Sequence, residues 1–210
     1  TPLYSSAASD VYKRQILNSA LTALASLQDE LVDAGPLAGI TLGLPLSATL
    51  GAVGLQTPSG RAGWMGFPAK DWLEERLGVP VHVENDVNLM ALGEQLERHD
   101  APDLMLLHAG EGIGVGVVAA GTLVRGNTGQ AGEIAHVPAI RRPDEPCLCG
   151  NVGCLGAVAS VPGILKMLRA EGIDVTSFDD LMARVTSGDS TVAQTLRQAG
   201  RDVGDVMVLS

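Results

Sequence analysis

Val81-His-Val-Glu-Asn-Asp-Val-Asn88 is a place where a strand ends and a helix begins. Its first residues alternate apolar and polar, and Asn and Asp are preferred residues at helix starts. Upstream, Asp71-Trp-Leu-Glu-Glu-Arg-Leu-Gly78 reads as a helix closed by glycine, and Val79 to Val83 as the strand that follows. Downstream, Asp86 to Arg98 reads as the next helix. Further out, Leu17, Leu21, Leu24, Leu27 and Leu31 recur at spacings of three and four, which predicts an amphipathic helix from Ile16 to Val32. Gly39 to Pro45 is a short apolar strand stopped by proline, and glycine-rich Thr49 to Gly66, with Trp64 inside it, is a loop. This alternation predicts an α/β fold.

The pattern changes from Leu104. Leu104 to His108, Val115 to Ala120 and Thr122 to Val124 form a meander with glycine turns. A loop from Arg125 to Val152 follows, then helices over Leu155 to Ala170, Phe178 to Val185 and Thr191 to Leu209. Two α/β lobes meeting near Ala101 are expected: residues 16–100, and residues 101–210 with a loop at 125–155. Residues 1–15 lack the continuous apolar run of a signal peptide and are read as a leader foreign to the fold, non-native or disordered.

Hydrophobic residues make up 46% and charged residues 18% of the 210 residues, the balance of a globular chain and not of a disordered one. No apolar run approaches the length of a membrane span, so no membrane partner is expected. With 14 Lys and Arg against 24 Asp and Glu, the net charge is −10. So acidic a surface repels phosphate backbones, and any DNA contact would need another domain. The three cysteines all fall between Cys147 and Cys154. A disulfide framework would spread them, whereas crowded thiols beside a histidine read as metal ligands in a reducing, cytoplasmic compartment.

His136, Cys147, Cys149 and Cys154 give H-x10-C-x-C-x4-C. Zn²⁺ favours four tetrahedral N and S ligands, and three thiolates with one imidazole close its shell. The spacing is not the usual C-x2-C, and three buried free cysteines are the alternative. Asp86, at the strand end, is placed to act as a general base toward a hydroxyl, with Asn85 orienting the same substrate. An N-cap is the simpler reading of that segment alone. The alternating glycines Gly110, Gly112 and Gly114 form a turn that can offer backbone N–H groups to phosphate, or a hairpin with close strand packing. They do not fit a dinucleotide fingerprint. Glu133, three residues before His136, is either a ligand-binding carboxylate on a metal-ordered loop or a solvated side chain.

In order and spacing, these segments resemble the ROK (repressor, open reading frame, kinase) family. Glu84-Asn-Asp-Val-Asn88 is similar to its E-N-D-x-N, Gly110 to Gly116 to its second phosphate turn, Gly132-Glu-Ile-Ala-His136 to its G-E-x-G-H, and Cys147 to Leu155 to its C-x-C-G-x-x-G-C-L-E. The resemblance implies a two-lobed actin/hexokinase-like (ribonuclease H-like) ATPase-type fold with a structural zinc loop and a sugar or amino sugar between the lobes. In kinase members the aspartate matching Asp86 is the general base, acting with ATP and Mg²⁺. Residues matching Asn85, Asp86, Glu133 and His136 hold the sugar. In regulator members the same cleft senses a sugar, while a separate helix-turn-helix domain binds DNA. Homodimers or larger assemblies are common in the family.

Three departures stand out. Gly156 replaces the glutamate of G-C-L-E, which removes one sugar contact. Glu111 stands where kinases have threonine in the phosphate turn, and a carboxylate there opposes a triphosphate. Ala135 replaces the glycine of G-E-x-G-H. The kinase Asp-x-Gly-x-Thr loop has its nearest match in Asp33-Ala-Gly35-Pro-Leu37, which lacks the hydroxyl, and the chain is expected to be truncated at both ends. The reading is the sugar-binding effector part of a ROK regulator, with a ROK sugar kinase of glucokinase or N-acylhexosamine kinase type as the alternative.

Overall fold

Leucines spaced at helical intervals build the first helix, α1 (Ser6–Glu30), in the computed structural model, which describes residues 6–30, 35–45, 64, 67–98 and 101–209. The helix starts ten residues before the expected Ile16. The segment taken as a leader outside the fold is therefore helical from Ser6. Lys13 explains part of this: it is buried, pairs with Asp10 at 2.9 Å and lies over the Phe67 ring. Of the leucine stripe, Leu17 is buried and Leu27 exposed. Most of the Thr49 to Gly66 loop, and the start of the Asp33-Ala-Gly35 match, lie outside the described residues.

The chain divides into two compact units, Thr1–Asp86 and Val87–Ser210, so the division precedes the helix expected to end the first lobe, rather than falling near Ala101. In the first unit, β1 (Ile40–Leu44) pairs in parallel with β2 (Val81–Asn85), Gly43 opposite Glu84. Helix α2 (Ala69–Leu77) runs between them in sequence and ends at Gly78, whose left-handed conformation (φ 67°) closes it. The strand starts at Val81, not Val79, because Gly78 is still part of that cap and the Pro80 carbonyl binds the Ile40 N–H. Leu17, Phe67, Ala69, Trp72, Leu73 and Val81 form this unit's core.

The second unit holds the antiparallel meander of β3 (Leu104–Ala109), β4 (Ile113–Ala119) and β5 (Thr122–Leu123), with Leu107 opposite Val115. Helix α3 (Asp86–Glu97) packs on one of its faces, Ala91 sharing a cluster with Val118 and Leu123. The glycines of β4 make this possible. A Cβ on Gly116 would stand 2.5 Å from that of Ala91 and 2.8 Å from the Val87 carbonyl oxygen, so the helix rests directly on the strand backbone.

Four helices follow: α4 (Leu155–Ala159), α5 (Val161–Ala170), α6 (Phe178–Thr186) and α7 (Ser190–Leu209). The single helix expected over Leu155 to Ala170 is two, because Ser160 is extended (φ −73°, ψ 161°) and its hydroxyl caps α5 by accepting from the Gly163 N–H. Leu155, Val158, Leu168, Leu181 and Val192 are fully buried in the core these helices share with Ile113 and Val115. Each such side chain contributes roughly 1.5–3 kcal/mol. Among the described residues, no helix is long and apolar enough to cross a membrane.

Candidate functional site

In the first unit the chemistry sits at the end of β2. Glu84 is buried, one carboxylate oxygen accepting from the Asn85 N–H at 2.9 Å and the other lying 4.0 Å from exposed His82 Nε2. Asn85 is the last residue of β2 and Asp86 the first of α3, both half-buried. No loop separates strand from helix, so Asp86 sits at the positive end of the helix, where a carboxylate is favoured. Asn88, one turn on, is buried. Nothing in the sequence marks Glu84 as the buried carboxylate, because His82, Asn85 and Asp86 beside it are polar too.

In the second unit, His136, Cys147, Cys149 and Cys154 come together. One ligand atom from each lies within 4.8 Å of all the others. His136 Nδ1 is 3.9 Å from Cys147 Sγ, and Cys149 Sγ is 3.7 Å from Cys154 Sγ. Ligands on one tetrahedral zinc, at about 2.3 Å for sulfur and 2.0–2.1 Å for nitrogen, stand about 3.6–3.8 Å apart. The donor set and its spacing therefore fit that ion.

Short backbone bonds fold the loop to this shape. The Cys147 N–H donates to the Asn151 carbonyl at 2.9 Å, and the Gly150 N–H returns to Cys147 at 3.0 Å. Pro146 bridges Val152, and Pro138 bridges Cys154. Gly153 adopts φ 68° where a Cβ would meet the Pro143 carbonyl oxygen at 2.7 Å, so no other residue fits. His136 ends a single 3-10 turn, Ile134–His136, inside what the sequence had suggested was one irregular loop. Ile134 is buried and pins that turn to the core.

Electrostatics divide the donors. Burial and the neighbouring sulfurs push the Cys154 thiol up to about 12. Burial also acts to raise Cys149, but hydrogen bonds from the Asn151 backbone and from Cys147 and Cys154 outweigh it and hold this thiol below its ordinary value. Burial lowers the pKa of His136, which favours the neutral imidazole that binds metals.

Glu133 precedes the 3-10 turn and is half-buried. Gly110 and Gly112 lie in the turn between β3 and β4 with exposed Glu111 between them, whereas Gly114 lies inside β4 against Val87. Two further contacts had no sequence signal. Arg141 Nη1 binds buried Asp202 of α7 at 2.9 Å and also Asp205, and Lys166 of α5 pairs with Glu145. Both tie the loop to distant helices.

The ROK family model matches residues 7–209. Over 113 residues the chain is 44% identical to a glucokinase of Halalkalibacterium halodurans, covering 53% of this chain and 34% of that protein. Over 108 residues it is 35% identical to a xylose repressor of Caldicellulosiruptor bescii, covering 50% of this chain and 27% of that protein. The chain thus spans only part of the length of the curated relatives it matches. Among solved structures, a ROK hexokinase from Thermus thermophilus superposes with a TM-score of 0.63 at 30% identity, covering 80% of this chain and 55% of that one.

Proposed function

The chain belongs to the ROK family, and we propose that it is the sugar-binding effector portion of a transcriptional regulator. Asn85, Asp86, Glu133 and His136 are its sugar contacts, in a two-lobed actin/hexokinase-like frame. The observation that carries the regulator reading is Glu111. It is exposed at the tip of the β3–β4 turn, where an ATP-dependent enzyme would seat polyphosphate, and like charges there oppose binding. The net charge of −10 agrees, since phosphate contacts dominate DNA affinity and must then come from a separate basic module.

His136, Cys147, Cys149 and Cys154 would hold one Zn²⁺. A closed shell leaves no open coordination position, so the ion would order the loop behind Glu133 instead of activating a substrate. Three reduced thiols suit a cytoplasmic setting. Sugar would modulate DNA binding by favouring one lobe arrangement over another, since equal affinity for both shifts nothing. A gel-shift titration of the intact protein on its own upstream DNA, with and without hexoses and N-acylhexosamines, tests this. Binding released or tightened by one sugar class is expected, and an intact protein that begins with Asp-x-Gly-x-Thr and binds no DNA sinks it.

The second reading, an ATP- and Mg²⁺-dependent sugar kinase, is favoured by Asp86 at the strand–helix junction, a position suited to a general base, and by the 44% identity to a glucokinase.

A further inference from the structure

Two sulfurs of the four-donor cluster are already close to bonding distance. Cys149 Sγ and Cys154 Sγ are 3.7 Å apart, and a disulfide bond is about 2.05 Å long, so a modest side-chain movement joins them. The two residues are held very differently. Cys154 is 1% exposed, Pro138 bridges to it, and fully buried Leu155 follows it into α4. Cys149 sits in the turn of a small hairpin that Pro146 and Val152 close, half-buried beside Leu148, which is 84% exposed. Gly150, the next residue, adopts φ 90° with open space where a Cβ would stand. An oxidant therefore reaches Cys149 from solvent, and a second sulfur anchored in the core lies behind it.

The third sulfur is placed for a different role. Cys147 Sγ lies 3.9 Å from His136 Nδ1, and its backbone is tied twice, the N–H to the Asn151 carbonyl at 2.9 Å and the carbonyl to the Gly150 N–H at 3.0 Å. One residue separates Cys147 from Cys149, so those two join only through a strained small ring, whereas four residues, two of them glycine, separate Cys149 from Cys154. Hydrogen peroxide supplies the oxidising power. The Cys149 thiolate attacks one peroxide oxygen, the O–O bond breaks, and the departing hydroxide takes a proton and leaves as water. Cys149 is then a sulfenic acid, oxidised by two electrons. Attack by the Cys154 thiolate on that sulfur forms the S–S bond and breaks the S–O bond, and the second hydroxide also leaves as water. Two thiolates, one peroxide and two protons thus give one disulfide and two waters.

We propose that Cys149 and Cys154 are an oxidation site, a peroxide-reactive pair that closes as a disulfide and in doing so discharges the metal from the loop. The inference rests on the zinc reading above. A disulfide removes two thiolate donors, and His136 and Cys147 alone do not complete the four-ligand shell that Zn²⁺ takes in a structural site. The new bond keeps the hairpin tied to α4 while His136 is released, so the change is local, and thiol reductants reverse it. Transient, redox-sensing disulfides are the kind that a reducing compartment accommodates.

The test treats the purified chain, its zinc content measured first, with stoichiometric hydrogen peroxide in the presence of a chromogenic zinc chelator, against an untreated control. Peptide mapping without reduction should find Cys149 joined to Cys154, and the chelator should report about one zinc released for each disulfide formed. Dithiothreitol with added zinc should restore both the thiols and the metal. Cys147→Ser should form the same disulfide, whether or not it retains zinc. A disulfide that contains Cys147, crosslinks between chains in its place, sulfinic acid with no disulfide, or a disulfide formed with the zinc still bound each overturn the proposal and leave the zinc reading intact. A chain purified without zinc that still forms the Cys149–Cys154 bond keeps the oxidation site, and the zinc reading falls together with the metal release.

Discussion

Gly132 and Val115 are locked backbone to backbone: the Val115 N–H donates to the Gly132 carbonyl at 2.9 Å, and a Cβ on Gly132 would fall 1.7 Å from the Val115 carbonyl oxygen. Gly132 also adopts φ 86°, a left-handed conformation that side chains resist. This contact seats the segment carrying Glu133 and His136 on the central strand β4. Gly132→Ala must both force the backbone apart and strain its dihedrals. A loss of roughly 2–4 kcal/mol is expected, read as a lowered urea midpoint. A variant as stable as wild type would show that the segment is not anchored there.

The four donors around His136 lead to a second prediction. Purified without added metal, the chain should contain about one zinc per molecule by elemental analysis. Chelation should lower its melting temperature, because binding and ordering of the loop are one event. Changes to outer partners of a metal site cost roughly 10–100-fold in affinity, and Cys149→Ser, which removes a ligand outright, should cost more. Affinity should rise with pH. The Cys154 thiol, pushed up to about 12, carries its proton at neutral pH in the metal-free chain and must release it to bind. Metal-free protein of unchanged stability would refute the site.

Which parts of this were readable beforehand follows from how local the cause is. Gly78, Pro45 and the valines of β2 act on their own neighbours, so α2 and β2 were legible to within two residues. The grouping of His136, Cys147, Cys149 and Cys154 was legible because they share one loop. Ser160 was not, because apolar residues at helical spacing run across it, and only an extended backbone turns its hydroxyl into a cap. The allegiance of α3 was hidden similarly. Alternating glycines are equally good for a phosphate turn and for a helix lying on a strand, and Gly114 and Gly116 take the second role against Val87 and Ala91. Asp202 lies 61 residues from its partner Arg141, and a pairing at that separation leaves no periodic trace.

Kinase activity is the third prediction. The wild-type chain should release no ADP from ATP with glucose or N-acetylhexosamines in a coupled assay, since Glu111 places negative charge at the turn where phosphate would sit. Glu111→Thr should raise nucleotide affinity, measured by titration with Mg-ATP. Turnover in the wild type that Asp86→Asn abolishes would promote the kinase reading over the regulator.

Arg141 gives the last prediction. It lies in the loop between His136 and Cys147, two residues after Ala139, which is buried and whose N–H donates to the Gly153 carbonyl at 2.6 Å, and its side chain reaches α7 to pair with Asp202 and Asp205. The hydrogen bonds to Asp202 and then Asp205 raise the arginine's pKa above its ordinary value. Asp202 is only 3% exposed, and its carboxylate also accepts from the Gln198 amide at 3.1 Å. Truncating the arginine leaves a buried carboxylate facing an amide alone, a larger penalty than losing a surface pair. Arg141→Ala should therefore lower the melting temperature and speed zinc loss to a chelator, because the loop is released from α7. Both contacts come from Nη1, so Arg141→Lys keeps the charge and enough donors but not the reach and fixed plane of the guanidinium, and should fall between the two. A purely surface pair would be erased by salt. Here most of the wild-type advantage over Arg141→Ala should survive 1 M salt, and an advantage that vanishes would mean the ion pair does not anchor the loop.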